Sequence, residues 1–347
     1  MSPPVAALRL EERPPAAPVC YRVGDAFLQV SSDYRPLVDA LAVQYGESPL
    51  VEPGLPLLRC NATLLPGSSL LLLTFEGQPI PSFADVARRL FWTIRGFQCY
   101  VEAPCALPRW RMVVNAERAG RMLLACSDDT VVVDVDEAPN LFVVKCLLDV
   151  MSSVQPGVLF LRGASVGVHG SGALFIGPSR HGKSTTALSL SSRGHVYFGD
   201  DMAALRLPQR HLIPLRACVA LRDGPLDDAL GDTIEACGYA LDVDPDGSSR
   251  KLVRVADLFP AANAGPVPLR FAFFLNGFAD EPRLTRYEPG LYDVGRLHYV
   301  LDSHETTPGA QLMKFLEVLD ALSDVQCYLL EVGPPEETAI MIEGVMS

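Results

Sequence analysis

One stretch limits what this chain can fold into more than any other. Gly177-Pro-Ser-Arg-His-Gly182-Lys183-Ser184 fits the pattern G-x-x-x-x-G-K-[ST]. The apolar run Ala173 to Ile176 precedes it, and Thr185-Thr-Ala187-Leu188-Ser-Leu190 follows with helix-forming residues. That order predicts a buried strand, a glycine loop and a helix. Glycines let the backbone fold tightly around phosphate oxygens, while loop amides and the helix N-terminus favour negative charge. In such a loop Lys183 reaches the outer phosphates and the Ser184 hydroxyl ligates Mg²⁺. The candidate nucleotide-binding residues are therefore Gly177, Ser179, Arg180, His181, Gly182, Lys183, Ser184 and Thr185. ATP and Mg²⁺ are the expected cofactors, although the loop alone does not separate ATP from GTP.

The second half of the unit follows at once. Arg193-Gly194-His195 ends the helix, with Gly194 as a natural C-cap, and Val196-Tyr197-Phe198 reads as the next strand. It runs into Gly199-Asp200-Asp201. Carboxylates at the C-terminal end of a strand lie where ligands bind in open α/β sheets. Asp200 is the candidate general base and Asp201, with Ser184, the candidate metal ligand; the two aspartate roles can be exchanged.

These residues resemble the catalytic core of the HPr kinase/phosphorylase-like serine kinases, which share a P-loop fold with phosphoenolpyruvate carboxykinases. The likeness rests on Arg162-Gly163-Ala164, on Gly177 to Ser184, on Ala187-Leu188-Ser-Leu190, on Arg193-Gly194-His195 and on Asp200-Asp201. It is strong from Leu161 to Asp201 and weaker from about Leu141 to the end. The expected fold is α/β with two parts. One, implied by the resemblance, is a C-terminal P-loop kinase domain with a mixed sheet, over residues 139–347. The other, read from length and periodicity rather than from the resemblance, is a smaller N-terminal α/β lobe over residues 20–138, preceded by a Pro-, Ala- and Glu-rich tail over residues 1–19. The resemblance also implies transfer of a terminal phosphoryl group to a hydroxyl. By family likeness the acceptor is a serine of a peptide or small protein, with a small hydroxylated metabolite as the alternative.

Two positions depart from the family pattern. Arg162 stands where the family usually carries histidine, and no counterpart of the Glu-, Arg- and Gly-rich phosphorylase signature follows Asp201. Both suit an outlying member with a different acceptor. Arg162, on the strand before the loop, is expected to bind an anion, because a guanidinium stays charged and grips phosphate or carboxylate in a fork. Further on, Arg250-Lys251-Leu-Val-Arg254 places three cations in five residues of an otherwise acidic chain. Lys251 and Arg254 are the candidates there for stabilising the transferred group. A non-catalytic nucleotide-binding regulator or scaffold is the second reading, and carboxykinase-like chemistry the third.

Composition narrows the partners. The net charge is −12, with no basic tract, which argues against a nucleic-acid or anionic membrane surface. The N-terminus lacks a signal-peptide core, and the longest apolar runs are too short to span a bilayer. The nine cysteines are scattered without a C-x-x-C pair, the usage of a reduced, cytoplasmic protein. The histidines show no metal-ligand spacing. A homo-oligomer is compatible with the sequence.

Periodicity gives the remaining elements. In the N-terminal region it predicts a hairpin through Gly24-Asp25, a helix over Tyr34–Tyr45 and strands at Leu57–Thr63 and Leu70–Phe75. Ser82 caps a helix with an apolar stripe from Phe83 to Ile94, and strands follow at Trp110–Val114 and Met122–Val135. Asn140 caps an apolar helix that feeds the strand Val158–Leu161. Beyond Asp201, strands are expected at Ala203–Leu207, His211–Pro214, Cys218–Leu221, Leu269–Leu275 and Gln326–Val332. Helices are expected within Leu226–Tyr239, after Pro308-Gly309 and over Glu336–Val345, and Asn276–Pro289 reads as turn-rich.

Overall fold

The computed structural model describes residues 17–48, 51–52, 54–76, 99–102, 111–115, 121–126, 130–136, 140–207, 209–221, 239–240, 251–259, 265–290 and 308–347. The helices expected from Ser82 and within Leu226–Tyr239, and the loop carrying Arg250, lie outside them. The chain divides into two compact units. The first comprises residues 1–21, 26–42 and 47–154, and the second comprises residues 22–25, 43–46 and 155–347.

The first unit is built on an eight-stranded sheet, in the order β1-β2-β3-β4-β8-β7-β6-β5. Its strands are β1 (Val19–Val23), β2 (Ala26–Ser32), β3 (Leu57–Leu64), β4 (Leu70–Glu76), β5 (Cys99–Glu102), β6 (Arg111–Asn115), β7 (Arg121–Cys126) and β8 (Thr130–Asp134). β2 and β3 are parallel, so a crossover is required, and α1 (Arg35–Tyr45) lies between them in the chain. Phe27, Leu37, Leu41, Leu58, Leu71 and Val133 are fully buried in its core. The apolar helix α2 (Asn140–Ser153) closes this part of the chain, with Val143, Leu147 and Met151 buried.

The second unit holds a nine-stranded mixed sheet. Its strands are β9 (Val158–Leu161), β10 (Ala164–Val168), β11 (Ser171–Ile176), β12 (Val196–Gly199), β13 (Ala203–Arg206), β14 (His211–Ile213), β18 (Val267–Phe278), β19 (Arg283–Tyr287) and β20 (Gln326–Val332). The main path runs β12-β10-β11-β18-β14-β13-β9, and β20 and β19 extend it from the other edge of β18. β11, β18 and β20 are mutually parallel; the other pairings are antiparallel. Strands parallel to a covered neighbour should read as unbroken apolar runs, and Phe271-Ala-Phe-Phe-Leu275 does. Two elements were not legible as strands. β10 is short and rich in small residues. β19 lies within the stretch read as turns, yet pairs with β20 over its whole length.

Helices cover both faces. On one, α3 (Lys183–Ser192) and α6 (Pro335–Met346) pack Ala187, Leu190, Ala339 and Ile342 against Val166, Phe175, Phe273 and Leu330. On the other, α5 (Pro308–Leu322) packs Phe315, Val318 and Leu322 against Leu174, Ile176, Ala272 and Phe274. A separate three-stranded sheet, in the order β15-β17-β16, comprises β15 (Cys218–Leu221), β16 (Tyr239–Ala240) and β17 (Lys251–Arg254), with the single-turn helix α4 (Val255–Leu258) after it. Leu188 of α3 inserts among Val219, Leu221 and Val253 of that sheet and Val255 of α4. One helix therefore ties the glycine loop to the strand that carries Arg254. No described helix is long and apolar enough to cross a membrane.

Candidate functional site

The segment Gly177–Gly182 joins the C-terminal end of β11 to the start of α3. Gly182 takes φ +89°, a left-handed conformation open to glycine at little cost, and its carbonyl accepts the first helical bond from the Thr186 amide at 2.8 Å. No side chain caps this helix end, and a helix N-terminus of this kind favours an anion. Arg180 also has positive φ, at +67°. The Lys183 side chain is buried, and its Nζ donates to the carbonyls of Gly177 at 2.8 Å and Pro178 at 2.7 Å. The lysine thus lies along the inside of the loop and pins its first turn. His181 Nδ1 donates to the Ser179 carbonyl at 3.1 Å, which fixes the ring at the loop's rim. Thr185, partly exposed, follows Ser184 in the first helical turn.

The acidic pair follows β12. Ser184 Oγ donates to Asp200 Oδ2 at 2.8 Å, so the loop's last residue and the first aspartate share a hydrogen bond across sixteen positions of sequence. Asp200 is only 2% exposed. Burial, and then the neighbouring charge of Asp201, raise its pKa to about 6; Arg216 and the Ser184 hydrogen bond oppose that rise. Asp201 is exposed and sits at φ +58°, at the centre of a three-residue turn closed by the Met202 amide on the Asp200 carbonyl at 2.6 Å. A non-glycine residue held in that region stores about 1–3 kcal/mol, and such strain concentrates at functional sites. The preceding Gly199 has φ +156°, and a Cβ there would stand 3.0 Å from the Met202 carbonyl oxygen. The turn therefore requires glycine before the pair.

Arg162 and Gly163 form a bend between β9 and β10, rather than part of a strand. The Gly163 amide donates to the Asp201 carbonyl at 3.2 Å, which brings the bend's backbone to the acidic pair. A Cβ on Gly163 would meet the Phe175 carbonyl oxygen at 2.7 Å, so this approach is open only to glycine. Arg254 ends β17 opposite Cys218, and its Nε is buried without a hydrogen-bond partner among the described residues. The Lys251 backbone starts β17, pairing with Leu221 and Ala240; its side chain lies outside the described positions.

Two neighbours of the acidic pair were missed by sequence reasoning. Arg216 follows β14, where the amides of Leu215 and Arg216 both donate to the Phe198 carbonyl, at 2.8 and 3.1 Å. That pairing sets Arg216 beside the end of β12. Burial works against its charge, but Tyr45, Asp201 and Asp200 around it hold its pKa above the ordinary arginine value. Its buried Nε has no hydrogen-bond partner among the described residues. Tyr197 donates its hydroxyl proton to the Cys218 carbonyl at 3.1 Å; burial, and then the charge of Asp200, raise its pKa well above the ordinary value. No local motif marks either residue. A cation shortly after an Asp-Asp turn was the available signal for Arg216.

The donor set fits Mg²⁺. A serine hydroxyl and a carboxylate within hydrogen-bonding distance are hard oxygen ligands, and Mg²⁺ at nucleotide sites takes one or two carboxylates with phosphate oxygens and waters. Among the described residues no group of three or more His, Cys, Asp and Glu side chains assembles, so no all-protein metal cage is formed there.

No family model matches this chain, and no curated protein matches it. Among solved structures, the chain is similar to the Hpr(Ser) kinase/phosphatase from Coxiella burnetii, with 14% identity and a TM-score of 0.28, over 54% of this chain and 88% of that one.

Proposed function

We propose that this protein is a cytoplasmic kinase that transfers the terminal phosphoryl group of ATP, with Mg²⁺, to a hydroxyl acceptor. The observation that carries the reading is the hydrogen bond between Ser184, at the end of the glycine loop, and the buried Asp200. It joins a phosphate-binding loop to a carboxylate in the arrangement phosphoryl transfer uses. Residues 139–347 would form the catalytic domain and residues 20–138 an accessory lobe. The acceptor is a serine of a peptide or small protein, or a small hydroxylated metabolite.

In this mechanism the loop amides and the N-terminus of α3 hold the phosphates, and Lys183 turns from the loop carbonyls to the outer phosphate oxygens. Ser184 and one carboxylate of the pair would hold Mg²⁺, which would neutralise charge on the phosphates. A carboxyl group whose pKa is near 6 is a better proton acceptor than one near 4, so Asp200 takes the acceptor's hydroxyl proton as the transition state forms. Asp201 would stand on the metal side; the Ser184–Asp200 hydrogen bond supports the exchanged assignment, in which Asp200 holds the metal with Ser184 and Asp201 takes the proton. Arg162, Arg216, Lys251 and Arg254 supply the positive charge that a loose phosphoryl-transfer transition state needs.

The test is incubation with Mg²⁺ and γ-labelled ATP, together with a lysate or serine peptides. Label should move to an acceptor with the native chain, and not with Lys183→Ala or Asp200→Asn. Tight ATP binding without transfer to any acceptor would leave a nucleotide-binding protein and remove the kinase.

A further inference from the structure

A cavity of about 350 Å³ opens beside the glycine loop, on the side away from the acidic pair. Its walls include Gly177, Pro178 and His181 from the loop, and Phe274, Leu275 and Asn276 from the end of β18. Next to it, Phe278 is 66% exposed, and its ring lies at 29° to that of His181 with 6.3 Å between centroids.

Strand order gives the direction of the site. The sheet runs β12-β10-β11-β18, the loop rises from β11, and Asp200 follows β12. With the terminal phosphate at Ser184 and Asp200, the rest of the donor leaves the loop toward β18. From β12 to β18 is three strand spacings, about 14 Å, a distance that suits a nucleoside triphosphate laid across the loop. The acceptor must approach the terminal phosphate from the far end, in line with the bond that breaks. It therefore belongs on the β12 side, which leaves the cavity to the donor. Its lining joins the loop residues Gly177, Pro178 and His181 to the end of β18 at Asn276, while the Phe274 and Leu275 side chains pack into the cores on opposite faces of the sheet; the exposed ring of Phe278 beside His181 gives the aromatic surface.

We propose that this cavity is the nucleobase subsite of the phosphoryl donor, taking a purine against the His181–Phe278 rim. The assignment rests on the nucleotide-binding reading of the loop. Calorimetric titration of the full-length chain with Mg²⁺-ATP, and separately with Mg²⁺-tripolyphosphate, tests it. The second ligand has the phosphates and no base. The native chain should bind ATP more tightly. Phe278→Ala should weaken ATP binding about tenfold, within the range measured for loss of a base–aromatic stack, and leave tripolyphosphate unchanged, while Phe278→Trp should retain ATP. Because Phe278 is largely exposed, its truncation opens no core. If the native chain binds tripolyphosphate as tightly as ATP, the loop reading stands and the subsite is overturned. It is also overturned if Phe278→Ala binds ATP normally, or raises only the KM of the acceptor. If the native chain binds neither ligand, the loop reading itself fails and takes this assignment with it.

Discussion

Burying Asp200 beside Asp201 raises its pKa from 3.8 to about 6, a shift that corresponds to about 3 kcal/mol against the ionised form. Because the folded value exceeds the unfolded one, this cost is fully present above pH 6 and is relieved as pH falls from about 6 toward 4. Asp200→Asn keeps an oxygen that can accept from Ser184 and removes the charge. In protein free of nucleotide and Mg²⁺, it should be more stable than the native chain by about 1–3 kcal/mol at pH 8, with the gain shrinking below pH 6. Urea denaturation at several pH values measures this, and equal stability at pH 8 would show that the carboxylate is not strained. Arg216 bears on the same charge. Arg216→Met should destabilise the chain by about 1–3 kcal/mol, and adding Asp200→Asn should recover part of that loss in a double-mutant cycle. Lys183, by contrast, donates to the loop carbonyls of Gly177 and Pro178. Lys183→Ala should lose ATP affinity in calorimetry while its urea midpoint stays near that of the native chain. At this scale the loop and the acidic pair were legible, because their chemistry is written in consecutive residues. Arg216 was not, since its place depends on backbone hydrogen bonds to Phe198 from another strand.

Helix α3 has the loop at one end and an ion cluster at the other. Past its C-terminus, Arg193 grips Glu343 of α6 with Nε at 2.7 Å and Nη2 at 2.8 Å, and His195 Nε2 lies 2.7 Å from the same carboxylate. The Arg193 hydrogen bond first, and then that of His195, lower the Glu343 pKa to about 2. A depressed carboxylate stabilises the fold above its unfolded pKa near 4.5 and loses that contribution as pH falls toward 2. The stability gap between the native chain and Glu343→Gln should therefore be widest above pH 5 and close by about pH 2, in thermal melts across that range. An unchanging gap would mean the pair packs rather than titrates. Leu188, on the same helix, anchors the sheet that carries Arg254. Leu188→Ala should cost about 2–5 kcal/mol. Most elements here were legible from their periods. β10 escaped because Gly163-Ala-Ser-Val-Gly-Val168 has little β-branched content to read. Its hairpin to β11 turns on His169-Gly170, both at positive φ, 49° and 77°. Those are the angles a two-residue hairpin loop demands. β19 escaped because Arg283, Thr285 and Arg286 are exposed on a strand that pairs with β20 alone among the described residues, so no clean two-residue alternation shows.

At the scale of the whole chain, composition gave an expectation against some partners and named none. The net charge is −12, and no described helix is long and apolar enough to cross a membrane. Four described cysteines, Cys20, Cys60, Cys218 and Cys327, are free thiols. Burial raises the pKa of Cys218 to about 12 and that of Cys327 to about 11, so they pack as small apolar groups, as the scattered spacing suggested. What the sequence did not show is how the chain partitions, because the second unit recruits residues 22–25 and 43–46 from far upstream. Asp25 binds Arg206 through two hydrogen bonds of 2.6 Å, and its amide donates to Gln155 at 2.8 Å. Pairings between residues more than a hundred positions apart leave no local trace. The partition makes a calorimetric prediction. Each unit has its own buried core, so two unfolding transitions are expected. The glycine loop and acidic pair belong entirely to the second unit. Mg²⁺-ATP at a hundredfold excess over Kd should stabilise that unit by about 2.7 kcal/mol. For a domain of this size that is an upward shift of roughly 5–10 °C. The other transition should stay in place, and Lys183→Ala should abolish the shift. A ligand-induced shift confined to the transition of the first unit would place nucleotide binding away from the glycine loop.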